Sequence, residues 1–147
     1  MKLVLIILSV LILDYGTKVY IQQTMTEGMS IPIIENIFHI TFIFNRGAAF
    51  GILENQRWVF VLAAIILLFL FVKTYKKIIM QPFIFQLGIA LTVGGAIGNL
   101  IDRVTLGQVV DFLDFRIWPI FNVADIAISI GAGCVLWVVL TNRDLDW

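Results

Sequence analysis

The chain has 147 residues, 61% of them hydrophobic and 14% charged, with ten basic and ten acidic side chains that cancel to a formal net charge of +0. A mean hydropathy of +1.01 lies far outside the range of water-soluble domains and marks an integral membrane protein. No long-period repeat, low-complexity tract or domain-sized linker divides it, so residues 1–147 are expected to form one domain, and no nucleic-acid partner is expected.

The first apolar run, about 3–21, follows Lys2 and carries Asp14 and Lys18. Its basic start and short apolar core resemble a secretory signal. No small-x-small cleavage site follows, however, and Gln22, Gln23 and Thr24 do, so it reads as a retained helix. Next comes "IENIFHITFIF" at 34–44, β-branched and aromatic throughout and too short to span as a helix, which reads as a strand. "NRG" at 45–47 signals a turn, and "AAFGIL" at 48–53 is a second short strand candidate, giving an outer β segment of about 33–53. The edge of such a sheet suits the addition of an extended peptide. Three more spanning runs follow, about 58–72, 83–101 and 123–140, each near the length of about 20 residues that a bilayer requires. The fold class is therefore an all-α membrane protein: a four-helix transmembrane bundle with a small extracytoplasmic sheet between helices one and two.

Basic residues set the expected orientation. Lys2, Lys73, Lys76, Lys77 and Arg143 fall on one side of this topology and Arg46, Arg57, Arg103 and Arg116 on the other. The "KTYKK" cluster, placed in the loop between helices two and three, puts that loop and both termini in the cytoplasm. Trp58 and Trp118 suit the outer interface and Tyr75 the inner one.

Polar residues inside such a chain are expensive and point to function. On helix three, Asn99, Asp102 and Arg103 are spaced i, i+3, i+4 on one face, and Gly94 and Gly98 form a G-x-x-x-G that admits a close helix neighbour. Helix four opens with Asn122 as N-cap and Asp125 three residues on, a capping box with Asp in place of Glu. Asp111, or its neighbour Asp114, lies in the short connection before it, and Pro119 turns the chain back toward the bundle. Two carboxylates paired in a poorly solvated site share one proton, and such a dyad activates water on one side and polarises a carbonyl on the other. Spacing alone does not choose between Asp111 and Asp114. Cys134 in helix four reads as core packing, and His39 has too few companions for a zinc site.

"DYGTK" at 14–18, "NRGAAFGIL" at 45–53, "GGAIGNLIDRVTLGQVVDF" at 94–112 and "FNVADIAISIG" at 121–131 resemble, in order, the motif blocks of lipoprotein signal peptidase, also called signal peptidase II. The resemblance covers nearly the whole chain. It implies an aspartyl endopeptidase of the bacterial cytoplasmic membrane, active at the outer face, that cuts prolipoproteins just before a diacylglyceryl-modified cysteine, without metal or cofactor. It places the catalytic pair on Asp111 and Asp125 rather than Asp114. Asn45, Asn99, Arg103 and Asn122 match positions that hold substrate or order the dyad, and Asp14, Lys18 and Asp102 match supporting positions. Membrane lipid and cyclic peptide inhibitors such as globomycin are further expected partners. Two other classes compete: a small proton-coupled transporter, whose acids would sit near the membrane midplane, and a lipid phosphotransferase holding a divalent metal on Asp102, Asp111 and Asp125.

Overall fold

In the computed structural model, which describes residues 1–47 and 54–141, the four apolar runs form helices α1 (Lys2–Thr24), α2 (Arg57–Ile78), α3 (Phe83–Thr105) and α4 (Val123–Thr141). Strands β1 (Ser30–Ile34), β2 (Phe38–Asn45) and β3 (Val109–Asp114) form an antiparallel sheet in the order β1-β2-β3. All four helices are long and apolar enough to cross a bilayer, and the chain is a multi-pass membrane protein with a small sheet at one end of the bundle.

Three of the helices run past their expected ends, each for a local reason. In α1, Gln22 Nε2 and Thr24 Oγ1 bond back to the carbonyls of Lys18 and Tyr20 at 3.2 and 2.7 Å, which carries the helix through polar residues. The "KTYKK" cluster, expected in a loop, instead forms the last turns of α2, leaving 79–82 as the connection. Lysine is a good helix former, and its charge complements the negative end of the helix dipole. Asp102 and Arg103 remain inside α3 because Lys18 neutralises Asp102 at 2.9 Å.

The central helix is α3, which packs on each of the other three. Its glycines make that possible. A Cβ at Gly94 would stand 3.0 Å from Val10 and one at Gly98 would stand 2.5 Å from Asp14 Oδ2, so the G-x-x-x-G receives α1. A Cβ at Gly95 would run into the Ala124 carbonyl oxygen, so the intervening glycine receives α4. Gly88 faces Gly131 and Cys134 across the same pair of helices, which leaves the half-buried thiol as packing.

The expected single strand at 34–44 is a hairpin. β1 begins earlier, at Ser30, and the chain turns at 35–37 with Asn36 at φ 61° and the Ile37 N–H donating to the Ile34 carbonyl at 3.1 Å. The turn is hidden among β-branched and aromatic residues on both sides, because it carries no Gly or Pro and Asn36 supplies the left-handed residue. The candidate strand at 48–53 lies outside the described residues. The third strand comes from the connection between α3 and α4: β3 pairs with β2 in the register Ile43↔Asp111 and Asn45↔Val109. Ile21 and Met25 below and Phe42, Val110 and Phe112 above form one apolar cluster that seats the sheet on the bundle.

Candidate active site

Helix α4 begins inside a ring of polar groups. The capping box is formed in both directions: the Asp125 N–H donates to Asn122 Oδ1 at 2.9 Å, and the Asn122 N–H donates to Asp125 Oδ2 at 3.2 Å. The next orphan donor, the Ala124 N–H, is taken by Asp14 Oδ1 of α1 at 2.9 Å. Asp14 thereby locks α1 to the start of α4.

Lys18, one turn further along α1 and only 1% exposed, contacts Asp14 Oδ2 at 2.8 Å, Asp102 Oδ2 at 2.9 Å and Asn99 Oδ1 at 3.1 Å. This contact fixes more than charge. An ammonium only donates, so the Asn99 oxygen must face Lys18 and its NH2 must face away, where it donates to Asp125 Oδ1 at 2.8 Å. Asn122 is oriented by the same logic: its oxygen receives the Asp125 backbone N–H, so its NH2 points at Asp111 Oδ1, 2.7 Å away. Asn45, at the end of β2, donates to the other oxygen, Asp111 Oδ2, at 2.8 Å.

Asp111 and Asp125 are thus gathered into one cluster, joined by Asn122, which is completely buried. Asp111 is 1% exposed. Burial and then the charge of Asp125 push its pKa from 3.8 up to about 7, against the donors Asn45 and Asn122 and the charge of Lys18. Asp114 is placed elsewhere. It takes the Thr41 hydroxyl, the Arg116 N–H and the Arg116 guanidinium, each at 2.8 Å. Burial works to raise its pKa, but these donors and the Arg116 charge together hold it below the usual carboxylate value.

Arg103 stands beside the pair. Its guanidinium lies 4.5 Å from the centre of the Phe60 ring and donates to the carbonyls of Gly47 and Asn99 at 3.2 and 3.4 Å. Phe60 carries no motif that sequence reading would single out, and Gly47, although it lies in the NRG turn, acts through a backbone carbonyl whose place only the fold sets. A cavity of about 680 Å³ begins here, with Asn45, Asn99, Arg103 and Asp125 at its head. It descends between α2 and α4 along apolar walls that include Leu67 and Ile130. On α3 it reaches from Arg103 to Thr92, a depth of about 16 Å at a rise of about 1.5 Å per residue.

A family model described as signal peptidase (SPase) II matches residues 6–141. The chain belongs to the signal peptidase II family. It is 44% identical to a lipoprotein signal peptidase of Pelotomaculum thermopropionicum over 144 residues, 98% of this chain and 95% of the relative. It is also 44% identical to one of Halothermothrix orenii, with 90% of each chain covered. A solved structure titled as a bacterial membrane enzyme superposes with a TM-score of 0.87 at 36% identity, covering 99% of this chain and 93% of that one. Membership makes the chain a peptidase, and the family's activity is removal of the signal peptide from prolipoproteins. The transporter and phosphotransferase readings have no such support. Asp111 and Asp125 lie at the sheet end of the bundle rather than half-way along it, and Asp102 faces Lys18 and the Val110 N–H instead of the other two acids.

Proposed function

We propose that this signal peptidase II is an aspartic peptidase with Asp111 and Asp125 as its catalytic pair. The observation that carries the reading is the pair itself: two carboxylates from β3 and α4 joined by one buried residue, Asn122, whose side-chain NH2 donates to Asp111 and whose backbone N–H donates to Asp125, with Asp125 at the head of an apolar groove that opens between two membrane helices. Near neutral pH the shared proton rests on Asp111, which polarises the scissile carbonyl. Asp125 takes a proton from water as that water attacks the carbonyl carbon. The tetrahedral intermediate then collapses as a proton passes to the departing amine, and the pair returns to its starting state. Asn45, Asn99 and Asn122 are positioning residues that hold the two carboxyl groups, and Arg103 meets the substrate backbone at the head of the groove. The mechanism calls on no metal or cofactor.

The substrates are prolipoproteins with a diacylglyceryl group on the lipobox cysteine, cut just before that residue. The groove supports this: its walls suit acyl chains and an apolar signal helix, while its head presents the polar groups an amide needs. A cyclic peptide such as globomycin is expected to occupy the same space. The enzyme lies in the bacterial cytoplasmic membrane, with Lys73, Lys76 and Lys77 and both termini cytoplasmic and the sheet at the outer face.

The test is cleavage of a diacylglyceryl-modified lipobox peptide by the purified protein, beside the unlipidated peptide, added chelator, Asp111→Asn and Asp125→Asn. The reading expects lipid-dependent, chelator-resistant cleavage that falls by roughly 10³-fold in each variant. Full activity in either folded variant overturns the dyad.

A further inference from the structure

A second cavity, of about 250 Å³, opens at the sheet end of the bundle between the start of α2 and the residues that follow α3. Arg46, Asn55 and Arg57 line one side, and Leu106, Gly107 and Gln108 the other. It shares no lining residue with the groove that holds Asp125.

Among the described residues its charge has no acidic partner. Two guanidinium groups line one small space, and Arg57, the first residue of α2, also stands at the positive end of that helix, where a cation is disfavoured. Among the described residues neither arginine is ion-paired; both are held by neutral groups. Arg46 Nε donates to Gln108 Oε1 at 3.2 Å, and the Arg57 guanidinium lies 4.6 Å from the centre of the Trp58 ring. The intervening sequence 48–53, Ala-Ala-Phe-Gly-Ile-Leu, contains no acid, and the neighbouring Glu54 does not line the cavity. Gly107 keeps the space open. It adopts φ +80°, and a Cβ there would stand 2.9 Å from Arg57 Nη1.

We propose that this cavity binds the phosphodiester of an anionic membrane phospholipid. Arg46 and Arg57 take the non-bridging oxygens, a geometry that guanidinium groups match well. Gln108, whose oxygen already accepts from Arg46, turns its NH2 to the same ligand, and Asn55 offers a second amide. A phosphate is the shared chemistry, and the lipid is its source because of position. The cavity stands at the end of a spanning helix, beside Trp58, which is 66% exposed at the level where aromatic belts meet headgroups. The site is independent of the peptidase chemistry.

The test titrates the full chain in neutral detergent with phosphatidylglycerol, phosphatidylcholine, inorganic phosphate and an acidic peptide, with bound species counted by native mass spectrometry. One phosphatidylglycerol per chain is expected, held more tightly than phosphatidylcholine. Arg46→Gln and Arg57→Gln should each weaken it by about fivefold while leaving phosphatidylcholine retention and cleavage of a lipopeptide in neutral detergent unchanged. Arg57→Lys, which keeps the charge and loses the fork, should fall between. Equal retention of the two lipids, or unchanged phosphatidylglycerol binding in both Gln variants, overturns the proposal. Displacement of the lipid by equimolar inorganic phosphate assigns the site to free phosphate, and displacement by the acidic peptide assigns it to protein substrate; either also overturns it.

Discussion

Asp111 and Asp114 stand on the same strand and are 1% and 3% exposed, yet their surroundings shift their proton affinities in opposite directions. Asp111 is met by two neutral amides and faces another acid, whereas Asp114 is met by an arginine. The pH behaviour follows with a definite sign. Asp111 has its pKa raised from 3.8 to about 7, so folding takes up a proton between those values. The stability this group contributes is complete below 3.8 and is lost as pH rises through about 7; in melting curves across that range, Asp111→Asn should remove the slope. If the pair needs its proton, turnover of a lipopeptide should also decline as pH rises through about 7. Asp114→Asn should behave differently: it loses donors of a buried carboxylate and costs about 1–3 kcal/mol of stability, while turnover stays within a few-fold of the parent. A loss as deep as that of Asp111→Asn would move the catalytic assignment to Asp114.

The elements meet through two kinds of contact, a buried cation and a set of glycines. Lys18 on α1 holds Asp102 and Asn99 of α3 as well as its own neighbour Asp14. Replacing it with methionine leaves two buried carboxylates without a counter-charge, a loss of about 3–5 kcal/mol, and frees the Asn99 amide to rotate. Thermal unfolding checks the first effect, and a fall in turnover at temperatures where the variant is still folded checks the second. For the glycines, Gly95→Ala pushes a methyl into the Ala124 carbonyl and should lower stability by about 1–3 kcal/mol. Gly16→Ala, with nothing within 4 Å of the new carbon, should be neutral or stabilising through helix propensity. Equal melting points for the two variants would refute the close α3–α4 approach. Both glycines sit on apolar helices, and only the neighbouring chain distinguishes them.

At the scale of the whole molecule, the groove depends on α2 lying against α3 and standing off from α4 at the sheet end. Ala64 on α2 and Ile126 on α4 both line the gap. Filling it with Ala64→Trp should raise KM for a lipidated substrate several-fold with a smaller change in kcat, since the carboxyl pair is untouched; steady-state kinetics in detergent separates the two. An unchanged KM would mean that the acyl chains bind elsewhere.

Much of this was legible in the sequence. The four spans follow from hydropathy because a bilayer demands apolar length, and the capping box follows from residue type because a helix start demands donors and acceptors at fixed spacing. Asp111, Asp125 and their asparagines stood out because polar groups in such a chain are costly, and the four ordered motif blocks named the family. The sequence did not reveal the third strand, which depends on a partner from a distant segment, nor the turn at Asn36 or the helical state of the lysine cluster, whose local signals are outweighed by the β-branched and charged residues around them. Nor does spacing assign the two carboxylates different proton affinities. That was decided by folding, which buries Asp111 beside Asp125 and gives Asp114 an arginine, and which turns Lys18 so that its ammonium orients the Asn99 amide toward Asp125. Local chemistry is written residue by residue, but burial and the direction of a hydrogen bond exist only once the chain has closed around them.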